Sequence, residues 1–205
     1  EKANQDTRPG MTPRNVIERL NAHLEADTPV ATDVGQHQMW AAQYVEFGGA
    51  RQFVSSGGLG TMGFGLGASM GAYVATKDPT ILITGDGSFG MNLNELATAV
   101  TYNIPVVIVL MNNGVLGMVR QWQTLFFGKR YSSTVLTRQT NFVQLAKSFG
   151  AEGVLAETPV EFKRAFEAAL QSGKPTVIDV RIDKDEMVLP MLPPGGAISD
   201  IITKV

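Results

Sequence analysis

Two short polar segments follow two hydrophobic runs in this sequence. Gly85-Asp86-Gly87-Ser88 follows the run 81–83, and Asn112-Asn113 follows the run 106–110. If both runs are strands and neighbours in a parallel sheet, the two segments lie side by side at the sheet edge where open α/β folds bind ligands. Asp86 offers an anionic oxygen and Asn113 an amide oxygen, which suit magnesium, an ion that completes its shell with phosphate and water. The pattern therefore indicates a divalent cation held against a diphosphate.

The spacing between the two segments supports this arrangement. Residues 88–111 leave room for one helix and one strand, and Asn92 is a candidate helix cap, with Glu95 in capping-box register. A right-handed βαβ crossover of this kind brings both strand ends to the same edge of a parallel sheet. Glycines at 85 and 87 are expected to let the backbone turn tightly and approach phosphate oxygens without a Cβ clash.

The rest of the chain alternates between the same two kinds of element. The patterns predict helices that start at Thr12-Pro13 and after Gly117, helices over 60–76, 141–149 and 159–171, and strands over 29–32, 52–55 and 176–182. Strands that alternate with helices favour a three-layer α/β/α domain with a mainly parallel sheet.

Composition excludes several classes of function. With 205 residues, 44% of them hydrophobic, the chain is long enough for one well-buried domain. A formal net charge of -2 gives no reason to expect binding to nucleic acid or to an anionic membrane. Cysteine is absent, which excludes disulfide and thiolate chemistry and fits a reducing compartment, so we expect a cytoplasmic protein. We recognise no signal-peptide pattern, and the apolar stretches are too short to span a membrane.

The two ends of the chain differ from its middle. A polar opening without an initiator Met predicts a linker over 1–11, and we expect the chain to be part of a longer polypeptide. The domain itself is predicted over 12–186 and a C-terminal arm over 187–205, in which two consecutive prolines favour a semi-rigid segment.

The acidic and amide segments together resemble the pattern of thiamine diphosphate enzymes. Four further segments are similar to those of acetolactate synthase (acetohydroxyacid synthase) catalytic, or large, subunits. They are Gly35-Gln36-His37-Gln38-Met39-Trp40, Gly57-Gly58-Leu59-Gly60-Thr61-Met62-Gly63, Gly117-Met118-Val119-Arg120-Gln121-Trp122 and Leu189-Pro190-Met191-Leu192-Pro193-Pro194-Gly195. The resemblance covers nearly the whole chain and implies the C-terminal, diphosphate-binding domain of such a subunit.

The resemblance also implies roles for individual residues. It assigns magnesium to Asp86, Asn113 and the backbone carbonyl of Val115, and it makes Gln36 and His37 ligands of the diphosphate. A large side chain at Met62 wedges between the two cofactor rings in the resembled family, and Met118 and Trp122 line the substrate pocket, so these three form the catalytic set. The full cofactor-binding set is Gly35, Gln36, His37, Gly60, Met62, Gly85, Asp86, Gly87, Ser88, Asn113, Leu116, Gly117 and Met118.

As the resemblance implies, the reaction is decarboxylation of pyruvate and condensation with a second pyruvate or with 2-ketobutyrate, in branched-chain amino acid biosynthesis. Thiamine diphosphate and Mg²⁺ are the implied cofactors of this domain, whereas FAD needs a middle domain outside this chain. The implied partners are the upstream domains and a second catalytic subunit. Because the proton-relay glutamate of the family lies on an upstream domain, we expect the isolated chain to be inactive. The sequence leaves open whether a regulatory subunit binds.

Two alternatives remain open from the residues themselves. Gly58-Leu59-Gly60-Thr61-Met62-Gly63 matches the G-x-G-x-x-G pattern, which is typical of a dinucleotide-binding module when it lies between a strand and a helix. The second alternative keeps thiamine diphosphate and changes the reaction to that of another 2-keto acid decarboxylase or carboligase.

Overall fold

Six parallel strands form a single sheet in the computed structural model, which describes residues 10–137 and 140–204. The strands are β1 (Val30–Thr32), β2 (Phe53–Val54), β3 (Thr80–Gly85), β4 (Val106–Asn112), β5 (Glu152–Ala156) and β6 (Thr176–Arg181). They lie in the order β2-β1-β3-β4-β6-β5, and each neighbouring pair is parallel. Chain order and sheet order diverge at β1, with β2 on one side and β3 on the other, which is the place where such folds form a ligand crevice.

Eight α-helices connect the strands of the described chain. They are α1 (Pro13–Asn21), α2 (Gln36–Tyr44), α3 (Phe64–Thr76), α4 (Asp86–Asn92), α5 (Leu96–Thr101), α6 (Gly117–Phe126), α7 (Phe142–Phe149) and α8 (Pro159–Ser172). Short 3₁₀ turns lie at Leu93–Glu95 and Ile198–Asp200.

Hydrophobic side chains cover both faces of the sheet. Ile81 and Ile83 of β3 face one core, which contains residues of α1, α2 and α8, whereas Leu82 faces a second core with α3, α4, α5 and α7. Successive strand residues point to opposite faces, and a continuous apolar run is typical of a strand buried on both of them. This confirms the predicted three-layer α/β/α fold.

Some local predictions differ from the structure. Asn92 does not cap a helix through its side chain; it ends α4, and its Nδ2 donates to the Gly63 carbonyl at 3.3 Å. The helix predicted over 60–76 begins at Phe64, because Gly63 has a left-handed backbone with φ of 92°. The sequence patterns also missed α2 and β5.

The ends of the chain bear on the predicted linker and arm. Residues 1–9 lie outside the described part, and Met11 packs into the core beside α1. Val188 of the arm is buried in the same core, and Trp40 Nε1 donates to the Met187 carbonyl at 3.3 Å. Within residues 10–137 and 140–204, helices that combine the length and apolarity needed to cross a membrane are absent.

Gly65 sets the distance between α3 and the end of β1. A Cβ there would lie 2.9 Å from the Asp33 amide nitrogen and 2.7 Å from Leu82 Cδ1, whereas a Cβ at Gly67, two residues later, would meet nothing within 4 Å. The helix can therefore approach the strand only because residue 65 has no side chain.

We expect Gly65→Ala to lower the free energy of unfolding by about 1–3 kcal/mol, because the added methyl group overpacks a rigid contact. Gly67→Ala is the matched control and should raise it by up to about 1 kcal/mol, since alanine favours a helix over glycine. Urea denaturation measures both changes. A Gly65→Ala protein as stable as the parent would show that α3 can move away without cost.

Candidate functional site

A cavity of about 210 Å³ opens where β1, β3 and β4 end and α2, α4 and α6 begin. It contains every predicted site residue except Gly60 and Trp122. The predicted residues that line it are Gly35, Gln36, His37, Met62, Gly85, Asp86, Gly87, Ser88, Asn113, Val115, Leu116, Gly117 and Met118. The segments at 35–37, 85–88 and 113–118 are far apart in the chain, and the parallel sheet brings them together.

The N-termini of α2, α4 and α6 lie at this cavity. In the described chain, side-chain caps are present on α1, α7 and α8, from Thr12, Asn141 and Thr158, and none is formed at the other five helices, which include α2, α4 and α6. Amide N–H groups in a first helical turn lack partners within the helix, and the helix dipole favours an anion there. The uncapped starts of α2 and α6 therefore suit a phosphate group.

The His37 side chain packs between the backbones of two glycines, Gly35 and Gly85. A Cβ at Gly35 or at Gly85 would approach the imidazole ring to 2.8 Å. Burial lowers the pKa of His37 to about 3, and a hydrogen bond with the Asp33 backbone acts in the opposite direction. Nε2 of this ring is buried without a hydrogen-bond partner in the described structure. A buried nitrogen left in this state at a cavity wall fits a site that a polar ligand completes.

Asp86 and Asn113 reach the cavity from neighbouring strands. Gly85 of β3 pairs with Met111 of β4, so Asp86 and Asn113 follow the paired ends by one and two residues. Asp86 is buried, and Oδ1 of Asn113 accepts the Val115 N–H at 3.1 Å, which closes a tight turn and brings the Val115 backbone beside the amide. All three residues line the same cavity.

These residues fit a magnesium ion. Among the described residues, clusters of three or more His, Cys, Asp or Glu side chains that could hold a metal are absent. A cation here would therefore take one carboxylate, one amide oxygen and a backbone carbonyl, together with ligand oxygens, as Mg²⁺ does when it binds beside a phosphate.

The two asparagines of the pair do different things. Nδ2 of Asn112 donates to Oδ1 of Asp179 at 2.8 Å, on the side of the neighbouring strand β6. Burial raises the pKa of Asp179, and the Asn112 hydrogen bond and the Arg181 guanidinium oppose that shift. The Asn112 side chain therefore bonds a neighbouring strand of the sheet, whereas Asn113 lines the cavity.

Gln36 is held by side chains and backbone from distant parts of the chain. Its Nε2 donates to Gln121 Oε1 and to the Glu186 carbonyl, both at 2.9 Å, and its Oε1 accepts from Asn113 Nδ2 at 3.5 Å. Gly117 makes room for this amide, because a Cβ there would overlap Gln36 Oε1. The predicted role of Gln36 as a diphosphate ligand stays a prediction, since both of its N–H groups already have acceptors.

Gln121 and Asp33 were missed by the sequence analysis. Gln121 is only 2% exposed although it is a glutamine, and its position three residues after Met118, on the same helix face, is the signal that could have identified it. Asp33 accepts the N–H groups of Val34 at 3.0 Å and Gly63 at 2.8 Å, and burial raises its pKa. Gln121 therefore connects α6 to α2 and to the C-terminal arm, and Asp33 connects the end of β1 to the start of α3.

Gly85 and Gly87 of the acidic segment allow neighbouring side chains to pack closely against the backbone. Gly85 has a φ of -115°, and Gly87 lies inside α4, so neither requires a left-handed backbone. A Cβ at Gly87 would lie 3.0 Å from Leu116 Cδ2 and 3.6 Å from Met62 Cε. The segment is therefore a helix start and not the tight turn that was predicted, and the side chain of Met62 packs over it. Ser88 Oγ donates to the Val34 carbonyl at 2.6 Å.

Trp122 and Gly60 lie outside this cavity. Trp122 lines an adjoining groove of about 620 Å³ and packs edge-to-face on Phe126, with ring centroids 5.6 Å apart. Met118 and Val119 line both the cavity and the groove, so the two spaces are neighbours. Gly60 is exposed, with a φ of 62°, and its N–H donates to the Ser56 carbonyl at 3.2 Å.

The site gives no support to the dinucleotide alternative. The G-x-G-x-x-G segment follows a two-residue strand at the sheet edge, and the N–H of Gly63, just before α3, donates to the Asp33 carboxylate at 2.8 Å. An internal carboxylate therefore occupies the helix start where a pyrophosphate would have to bind.

Because His37 stays neutral in the folded protein, its burial makes stability depend on pH. The folded pKa of about 3 lies below the ordinary value of 6.5, so only the unfolded chain gains a proton as the pH falls below 6.5. From pH 7 to pH 5, the parent should lose about 2 kcal/mol more unfolding free energy than a His37→Gln variant. Urea denaturation at both pH values measures this difference. Asp33 and Asp179 have raised pKa values and contribute with the opposite sign, but they remain in both proteins. Equal losses in the two proteins would contradict the buried neutral imidazole.

The chain is similar to acetolactate synthase large subunits from several organisms. It is 46% identical over 191 residues to "Acetolactate synthase isozyme 2 large subunit" from Escherichia coli (strain K12), a match that covers 93% of this chain and 35% of that protein. It is 48% identical over 181 residues to "Acetolactate synthase large subunit" from Parasynechococcus marenigrum (strain WH8102), covering 87% of this chain and 29% of that protein. The chain thus spans about a third of the length of these relatives.

A protein-family model matches most of the chain. The model is described as "Thiamine pyrophosphate enzyme, C-terminal TPP binding domain", and it matches residues 33–180, from the end of β1 to β6. The matched range contains every residue that lines the cavity. The chain therefore belongs to the family of C-terminal TPP binding domains of thiamine pyrophosphate enzymes.

Proposed function

We propose that this chain is the cofactor-binding domain of an acetolactate synthase large subunit. The whole protein would decarboxylate pyruvate and condense the product with a second pyruvate or with 2-ketobutyrate. The observation that carries the proposal is a single cavity that joins an acidic helix start, an amide and a buried histidine with uncapped helix N-termini. The names of the relatives, at 46–48% identity, supply the reaction.

The proposed binding mode assigns each wall of the cavity to one part of the cofactor. Asp86, Asn113 Oδ1 and the Val115 carbonyl would hold Mg²⁺, which would supply positive charge for the diphosphate. The uncapped N–H groups of α2 and α6 bind the remaining phosphate oxygens. His37 Nε2, buried and without a partner in the described structure, faces a polar ligand atom when the cofactor binds.

Thiamine diphosphate supplies the electron sink for decarboxylation, and the protein supplies position and surroundings. Met62 packs over Gly87 beside Leu116, close to the proposed diphosphate site, where its side chain would contact the bound cofactor. Met118 belongs to both the cavity and the Trp122 groove, which makes it a boundary between cofactor and substrate. The largely apolar groove then excludes water from the second keto acid.

The proposal extends to parts of the enzyme outside this chain. FAD would bind a middle domain, the proton-relay glutamate would come from an upstream domain, and a second catalytic subunit would complete the site. These assignments rest on the resemblance and on the fact that the relatives are about three times as long as this chain. The lack of cysteine and the biosynthetic reaction support a cytoplasmic location.

A chimera tests the proposed cofactor site. When this chain replaces the matching segment of the Escherichia coli isozyme 2 large subunit, we expect acetolactate formation from pyruvate. Asp86→Ala in the chimera should weaken thiamine diphosphate binding in the presence of Mg²⁺ by about 100-fold, because a metal ligand is lost. Titration calorimetry measures the affinity, and Asp27→Ala is the control, because Asp27 is an exposed turn residue that precedes β1, whereas the cavity lies where the strands end. Selective binding of NAD by the unmodified chimera would contradict the proposal.

The isolated chain should be inactive, because the proposed proton-relay glutamate lies on an upstream domain and no motif at this cavity supplies a substitute for it. We expect weak binding of thiamine diphosphate with Mg²⁺, if any, and no acetolactate from pyruvate. A colorimetric acetolactate assay on the purified chain, with the chimera as positive control, checks this. Measurable product from the chain alone would show that the reaction does not need the upstream glutamate.

Trp122 should influence the choice of the second keto acid. We expect Trp122→Leu in the chimera to lower the ratio of acetohydroxybutyrate to acetolactate severalfold when pyruvate and 2-ketobutyrate compete, because the larger acceptor loses an apolar contact worth about 1 kcal/mol. Product analysis by gas chromatography measures the ratio. Phe126→Leu removes the ring that supports Trp122 and should have a smaller effect in the same direction. An unchanged ratio would place the acceptor elsewhere.

A further inference from the structure

Gln121 forms a buried junction between α2, α6 and the C-terminal arm. Its Oε1 accepts from Gln36 Nε2 at 2.9 Å and from the Val188 N–H at 2.8 Å. Its Nε2 donates to the Val188 carbonyl at 2.9 Å and contacts Met191 Sδ at 3.2 Å. The paired contacts with the Val188 backbone leave the side-chain amide one orientation, with its oxygen toward Gln36.

The orientation of Gln121 determines that of Gln36. Because Gln121 presents an acceptor, and the Glu186 carbonyl presents another at 2.9 Å, the amide nitrogen of Gln36 faces these two groups. Its oxygen is then left on the other side, 3.5 Å from Asn113 Nδ2. A rotated Gln36 amide would set its N–H groups against those of Asn113 and its oxygen against two acceptors.

Gln36 and the Val115 N–H together select which end of the Asn113 amide is available. With Nδ2 of Asn113 toward Gln36, Oδ1 lies on the side of the Val115 N–H, which it accepts at 3.1 Å. Only the oxygen of an amide can bind a cation. A buried hydrogen-bond chain that orients a metal ligand typically changes metal affinity about 10- to 100-fold when it is broken.

We propose that Gln121 is a positioning residue that, through Gln36, holds the Asn113 amide with its oxygen toward the cation site. The inference rests on the proposed function, in which Asn113 is a ligand of the metal. It gives Gln36 a role that needs no free N–H group, and it explains why a glutamine is buried in α6.

Metal binding by the chimera tests the inference without reference to catalysis. Mn²⁺ replaces Mg²⁺, thiamine diphosphate is saturating, and the electron paramagnetic resonance signal of free Mn²⁺ gives the affinity. We expect Gln121→Met, which keeps the shape of the side chain but removes its hydrogen bonds, to weaken Mn²⁺ binding about tenfold. Gln123→Met is the matched control and should leave the affinity unchanged. Gln123 is a glutamine on the same helix, and it bonds the backbone of Ser132 instead.

A double-mutant cycle separates positioning from a general structural effect. Asn113→Ala should weaken Mn²⁺ binding, and adding Gln121→Met to it should cause little further loss, because the orientation of an absent amide no longer matters. Additive losses, or an unchanged affinity in Gln121→Met, would overturn the inference while the proposed function stands. If the unsubstituted chimera binds no Mn²⁺, or if Asn113→Ala has no effect, both the proposed function and this inference fail. Urea denaturation of each variant shows whether it is folded.

Discussion

The rest of the site depends on the packing of the His37 imidazole between the backbones of Gly35 and Gly85. The imidazole fits between the ends of β1 and β3 only because neither glycine has a side chain, since a Cβ on either would lie 2.8 Å from a ring atom. Burial lowers the pKa of this ring to about 3, which favours its neutral form. One side chain therefore fills the space at which α2 and α4 begin, and it requires glycine at both positions.

The helices that begin at the cavity lack the side-chain caps that stabilise three other helices. Thr12, Asn141 and Thr158 cap α1, α7 and α8, and a cap of this kind stabilises a helix by about 1 kcal/mol. The described side chains provide no such cap at α2, α4 or α6. An anion that accepts hydrogen bonds from these first turns would replace the missing caps. Binding a phosphate group and stabilising the fold would then be linked, as for any ligand that binds only the folded state.

The sequence predicted those features that local patterns determine. The crossover from β3 to β4 and the edge shared by Asp86 and Asn113 follow from two apolar runs and the length of the segment between them. By contrast, α2 was missed because Gln36 and His37 are buried by partners far away in the chain, with Gln121 85 residues and Glu186 150 residues beyond Gln36. Asn92 was assigned as a cap from its register with Glu95, but the Gly63 carbonyl, 29 residues away, binds its amide instead. Contacts of this length leave no periodic signal in the sequence.

The Asn112-Asn113 pair shows how a short motif combines a structural and a chemical role. Consecutive strand residues point to opposite sides, so two adjacent asparagines at the end of β4 cannot both face the cavity. Asn112 bonds Asp179 at 2.8 Å and thereby ties β4 to β6, which holds the strand end in place. Asn113, the next residue, lies at a fixed point of the cavity wall, where Gln36 and the Val115 N–H favour one orientation of its amide. Asn112 thus fixes the position of the strand end, and the contacts of the Asn113 side chain fix the orientation of its amide. Both are needed, because a rigid strand end determines where a side chain begins but not how its amide is turned.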